Sequence, residues 1–106
     1  MTTIGVIGAG AWGTALAQNF AANGKEVMLW ARAPELADEI NQSHQNRKYL
    51  TGISLHPDIR ATAKLSDACA ADILVLVVPA QHLREVLKYA SPHIRHDQPL
   101  VICAKG

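Results

Sequence analysis

Apolar positions along this chain fall into short continuous runs, separated by segments in which they recur every third or fourth residue. A short continuous run suits a strand covered on both faces, and a three-to-four spacing suits a helix packed along one side. Thr3–Gly8 is the first such run and predicts a strand. Trp12–Asn23 predicts a helix, with Ala15, Leu16, Asn19, Phe20 and Asn23 at helical steps, and Asn23-Gly24 supplies a natural stop. Glu26–Ala31 predicts a second strand. Pro34 suits the first turn of a helix that runs to about Gln45 with Leu36, Ala37 and Ile40 facing inward. From Asn46 to Pro57 the periodicity disappears, and Gly52, Pro57 and the Tyr49-Leu50 pair predict a structured loop. Ile59–Thr62 predicts a short third strand, and Lys64–Ala70 a short helix capped by Thr62 or Ala63. Asp72–Val78 is the strongest strand pattern and is stopped by Pro79. Ala80–Tyr89 predicts a helix with Leu83, Val86 and Leu87 inward, ended by Ser91-Pro92. Pro99–Ala104 predicts a fifth strand.

Strands that alternate with helices predict the α/β class. With right-handed crossovers, the expected architecture is a Rossmann-type doubly wound parallel sheet, five strands in order 3-2-1-4-5 with helices on both faces. Ligands of such a sheet collect at the carboxyl ends of the strands, where the order reverses between the first and fourth strands. Gly8, Ala31, Val78 and Ala104 end strands on that edge.

Composition narrows the class. A chain of 106 residues with 49% hydrophobic residues is one domain with a real core. The formal charge of +1 gives no nucleic-acid or anionic-membrane surface. No apolar run approaches the roughly 20 residues of a membrane span. The first residues enter a strand without a signal-peptide layout, so a cytoplasmic location is expected. Cys69 and Cys103 make no disulfide framework, and Cys103, in a predicted strand, is expected to be a buried free thiol. The Asn41-Gln42-Ser43 sequon has no meaning without secretion. His44, His56, His82, His93 and His96 have no zinc-ligand spacing and read as surface or loop residues.

The chemistry concentrates in Gly8-Ala9-Gly10-Ala11-Trp12-Gly13, a GxGxxG between a predicted strand and a predicted helix. In that context Gly8 makes the tight turn, Gly10 leaves room for a pyrophosphate, and Gly13 lets helix and strand pack closely. The helix N-terminus offers free N–H groups and a partial positive charge to the phosphates. A dinucleotide is the expected ligand. At the end of the second strand stands Trp30-Ala31-Arg32, with no acid until Glu35. An arginine there accommodates the 2′-phosphate of NADP, so NADP is preferred over NAD. Trp12 suits either packing under the helix start or contact with the cofactor, and Trp30 suits the core. Pro79 either ends its strand or lines the nicotinamide side. Lys105 follows the last strand at the same edge; position alone favours an exposed lysine.

Taken together these motifs resemble the bacterial-type NAD(P)-dependent glycerol-3-phosphate dehydrogenases. Gly8-Ala9-Gly10-Ala11-Trp12-Gly13-Thr14-Ala15-Leu16-Ala17 is similar to the family's glycine motif, and Leu29-Trp30-Ala31-Arg32 to its second-strand ending. Asn46-Arg47-Lys48-Tyr49-Leu50-Thr51-Gly52-Ile53 resembles its loop, with Thr51 where proline is common. Val77-Val78-Pro79-Ala80-Gln81 and Cys103-Ala104-Lys105-Gly106 resemble two further motifs. The likeness runs from Ile4 to Gly106.

The resemblance implies a cofactor domain followed by a helical substrate domain, so residues 1–106 are expected to be the NAD(P)-binding part of a longer protein. It implies NADPH contacts for Ala11 (backbone only, where serine is common), Trp12, Arg32 and Lys105, with Lys105 also reaching a phosphorylated substrate. Gly8, Gly10, Gly13, Tyr49 and Pro79 complete the candidate cofactor set. The implied reaction is hydride transfer between glycerol 3-phosphate and dihydroxyacetone phosphate, supplying phospholipid synthesis, with the general acid/base in the second domain. The rival readings are another two-domain NADP-dependent reductase, of ketopantoate or 6-phosphogluconate type, and a non-catalytic nucleotide-sensing module. The Tyr49 loop and Lys105 weigh against the first, and an end directly after the fifth strand weighs against the second. Leu100, Val101 and Ile102 are expected to lie on an unprotected edge that invites self-association.

Overall fold

The period-two alternation inside each apolar run decides which side of the sheet each residue serves. In the computed structural model, which describes residues 2–103, the strands are β1 (Thr3–Ile7), β2 (Glu26–Trp30), β3 (Ile59–Thr62), β4 (Ile73–Leu76) and β5 (Leu100–Ile102). They form one parallel sheet in the expected order, β3-β2-β1-β4-β5. Val6, Val27, Leu29 and Val75 point to one face, where α1 (Ala11–Ala22) and α2 (Pro34–Ser43) cover them. Ile7, Trp30, Leu74 and Leu76 point to the other, beneath α3 (Leu65–Cys69) and α4 (Ala80–Ala90). Continuous apolar runs therefore arise because both faces are buried.

The expected helices form, with differences that have local causes. Along α1 the buried positions are Gly13, Thr14, Ala17 and Ala21, whereas Ala15 and Asn19 are exposed. The helix sits so close to the sheet that only small residues fit its central line, and Leu16 and Phe20 pack beside it. Helix α2 ends at Ser43, before Gln45, because His44 takes a left-handed conformation with φ 52°. Helix α3 is shorter than predicted, and its N-cap residue is Lys64. Thr62 still secures the entry: its hydroxyl accepts from the Lys64 N–H (3.0 Å) and donates to the Asp67 carboxylate (2.8 Å). In α4, Leu83, Val86 and Leu87 pack against the core as expected.

Strands β4 and β5 are shorter than their apolar runs. The last sheet bonds at the carboxyl edge run from the Ala31 N–H to the Thr62 carbonyl, from Gly8 to Trp30, from Val77 to Ile7, and from Cys103 to Leu76. Beyond Gly8 and Val77 the backbone leads into α1 and α4. The predicted continuation of the fifth strand to Ala104 lies outside the described residues. The Asn46–Pro57 segment is a structured loop: Leu55 is buried within it, its N–H donating to the His44 carbonyl, and the His56 N–H donates to Gln18 of α1. Asn41, the sequon residue, is committed to the fold by a pair of hydrogen bonds to the backbone of Ala61.

Candidate dinucleotide-binding site

The three glycines of the turn have different physical justifications. Gly8 adopts φ 127°, a left-handed conformation, and a Cβ there would collide with the Val77 carbonyl. A Cβ on Gly13 would collide with the Gly8 carbonyl, so that residue sets how closely α1 approaches β1. Gly10 is unlike both. Its φ of −72° suits any residue, and a Cβ built on it meets nothing within 4 Å among the described residues. The fold itself requires glycine at 8 and 13; at 10 the missing side chain leaves open space in front of a helix N-terminus. Among the described residues no side chain caps α1, and no acid stands in its first turn. Its first N–H groups are thus available to an anion at the place where the space is left. The residues present fit a dinucleotide pyrophosphate.

Around this turn lies a cavity of about 490 Å³ at the carboxyl ends of the strands. Gly8, Ala9 and Gly10 form its floor. Arg32, Ala33 and Leu36 line it from β2 and α2; Val78, Pro79, His82 and Val86 line it from β4 and α4. A smaller cavity of about 190 Å³ shares Gly10, Val77, Val78 and Pro79 with it and continues past Ala11, Trp12 and Gly13. The two make one groove astride the glycine turn, with a lobe on each side, as a dinucleotide requires.

The candidate residues now have places. Arg32 lines the large lobe, with its side chain 73% exposed and its guanidinium 3.0 Å from the Glu85 carboxylate of α4. Trp12 is 47% exposed beside the small lobe, so it does not pack beneath the helix start. Trp30 is half-buried against the second core cluster, donates its indole N–H to the Ala63 carbonyl at 3.0 Å, and presents part of its ring to the cavity. Pro79 is the N-cap of α4 and lines both lobes. Tyr49 is brought to the large lobe by the 46–57 loop, with the Lys48 ammonium 5.2 Å from its ring centroid. Lys105 lies outside the described residues.

Sequence reasoning gave no role to Asn46, which is fully buried. Its amide donates to the Ala9 carbonyl (3.0 Å) and to the Thr14 hydroxyl (2.9 Å), and its carbonyl oxygen accepts from the Tyr49 N–H (3.2 Å). One side chain thus locks the glycine turn, helix α1 and the Tyr49 loop to one another. The Asn-x-x-Tyr spacing signals a local side-chain turn, but nothing local signals the long-range bonds. Lys48 and His82 also escaped notice as cavity residues. His44, read as a loop residue, has its Nδ1 buried with no hydrogen-bond partner among the described residues. Cys69 is buried, and burial pushes its thiol pKa up; Cys103 is half-buried, contrary to expectation, because its strand is at the sheet edge. Both are free thiols. No cluster of His, Cys, Asp and Glu able to hold a metal occurs among the described residues.

This geometry agrees with what the chain resembles. A profile of the NAD-dependent glycerol-3-phosphate dehydrogenase N-terminus matches residues 3–106. The chain belongs to that family. A glycerol-3-phosphate dehydrogenase [NAD(P)+] of Parvibaculum lavamentivorans is 54% identical over 103 residues, covering 97% of this chain and 31% of the relative. The chain thus spans about a third of that relative's length. The crystal structure of a glycerol-3-phosphate dehydrogenase from Coxiella burnetii superposes on it with a TM-score of 0.92 at 29% identity, over 99% of this chain and 33% of the other. A ketopantoate reductase from Ralstonia eutropha, at 20% identity and a TM-score of 0.77 over 100% of this chain and 35% of the other, shares the fold alone.

Proposed function

We propose that residues 1–106 are the NAD(P)-binding domain of an oxidoreductase that interconverts sn-glycerol 3-phosphate and dihydroxyacetone phosphate, with a helical substrate domain in the rest of the protein. The observation that carries this reading is the open space at Gly10 before the uncapped N-terminus of α1, in a chain of this family. Gly8, Gly10 and Gly13 shape the pyrophosphate seat, and the backbone N–H groups of Ala11 and Trp12 bind its oxygens. Arg32 takes the 2′-phosphate of NADP, the preferred cofactor. Tyr49 and Pro79 flank the bound dinucleotide. Lys105 contacts it at the nicotinamide end and reaches the phosphorylated substrate. The bound nicotinamide supplies the hydride chemistry; the protein supplies position and charge. The general acid/base belongs to the substrate domain.

The reading carries a cytoplasmic location and a role in supplying glycerol phosphate to phospholipid synthesis. No described helix is long and apolar enough to cross a membrane.

The test is Arg32→Ala, with NADPH and NADH titrated by calorimetry. Loss of a charge-assisted contact to phosphate weakens NADPH by roughly 1.5–3 kcal/mol, and NADH loses little. Equal losses for both cofactors would assign Arg32 another role. In the whole protein, the accompanying assay is NADPH-dependent reduction of dihydroxyacetone phosphate; its absence would refute the substrate assignment.

A further inference from the structure

The second strand ends without an acid, yet the folded cavity has one beside it. Glu85, 53 residues further along the chain, brings its carboxylate to 3.0 Å from Arg32. The pair joins opposite walls of the large lobe: Arg32 lines it from the β2 side, and His82 and Val86, on the same helix as Glu85, line it from the α4 side. Among the described residues the contact is single, from one guanidinium nitrogen to one carboxylate oxygen, and the rest of the guanidinium fork has no other partner there. Both side chains are largely exposed, 73% and 54%, and the pair adds little to stability. Its consequence lies in binding.

We propose that Glu85 sets the cofactor preference of this site by competing for Arg32, lowering affinity for 2′-phosphorylated dinucleotides while leaving non-phosphorylated ones untouched. This rests on the assignment of Arg32 to the 2′-phosphate. Two anions, the carboxylate and the phosphate, then share one guanidinium. The phosphate carries a charge near −2 and is held within several ångströms of the carboxylate, so it meets repulsion that a ribose hydroxyl does not. Screening by water and salt limits the effect to roughly two- to tenfold in affinity. Glu85 therefore supplies, from a distant helix, the acidic character that the end of β2 lacks, and keeps NAD(H) in competition with NADP(H).

The experiment compares Glu85→Gln, Glu85→Lys, Arg32→Ala and the double variant Arg32→Ala/Glu85→Gln. Each is titrated with NADPH, NADH, 2′,5′-ADP and 5′-AMP at low and high ionic strength. Glu85→Gln is expected to tighten NADPH and 2′,5′-ADP about two- to tenfold, Glu85→Lys more, with NADH and 5′-AMP unchanged and the gain shrinking in salt. In the Arg32→Ala background the gain from Glu85→Gln should diminish, because no guanidinium is left to compete for. Unchanged NADPH-to-NADH selectivity in both Glu85 variants, with selectivity lost in Arg32→Ala, would overturn the role of Glu85 and leave that of Arg32 standing. Selectivity unchanged in Arg32→Ala and in the Glu85 variants alike would overturn both. Weaker NADPH binding in Glu85→Gln would show that the carboxylate positions the guanidinium, and would also overturn the proposal.

Discussion

The clearest division of labour at the residue scale is among the three glycines of the turn. Adding a methyl group at 13 drives a carbon into the Gly8 carbonyl, and relief requires α1 to move off the sheet. Gly13→Ala is expected to cost about 1–3 kcal/mol of stability or more, as overpacking does. At Gly10 an added Cβ meets nothing within 4 Å among the described residues. Gly10→Val is therefore expected to fold normally, losing about 1 kcal/mol or less through a poorer N-cap, and to lose NADPH binding because its side chain fills the pyrophosphate seat. Chemical denaturation and calorimetric titration of the two variants check the contrast. Unchanged NADPH affinity in Gly10→Val would remove the pyrophosphate from this position.

Among the elements, the loop after α2 matters most beyond the glycine turn. Its start is held twice. Glu39 of α2 accepts from the backbone and the guanidinium of Arg47, and Asn46 reaches across to Ala9 and Thr14. Asn46→Ala leaves the Ala9 carbonyl without its amide donor and frees the Tyr49 N–H. A buried group left unpaired costs about 1–3 kcal/mol. The expected result is a destabilisation of that size together with weaker NADPH binding, since the same side chain sets the glycine turn and the Tyr49 wall. Urea unfolding and cofactor titration measure the two effects. Weakened stability with full cofactor affinity would show that the loop is structural only. The loop's existence was legible from its lost periodicity, and its attachment was not, because a buried asparagine with partners 32 and 37 residues away leaves no local pattern.

For the whole molecule, the asymmetry of the sheet is decisive. β5 pairs with β4 alone among the described residues, and Leu100, Val101 and Ile102 are 38%, 49% and 48% exposed. An apolar strand edge recruits partners. The 106-residue chain by itself is therefore expected to self-associate in a concentration-dependent way through this edge, and light scattering across a concentration series tests it. A monomer at high concentration would show the edge to be too short to pair. Leu100→Lys and Ile102→Lys, which place charges on the edge, should suppress the association.

The local sequence determined the strands, their order in the sheet and the glycine turn. Both-sided burial writes itself as continuous apolar runs, and a strand-turn-helix with glycines at 8, 10 and 13 admits few other arrangements. The line along which α1 is most deeply buried, Gly13, Thr14, Ala17 and Ala21, was not legible from the sequence, because a close helix–sheet approach favours small residues that carry little hydrophobic signal. Only tertiary structure decided which distant side chains meet. Crossovers from both sides of the sheet bring Arg32 against Glu85 and Asn46 beneath Ala9, and such contacts depend on the path of the chain in space, on which residue spacing is silent.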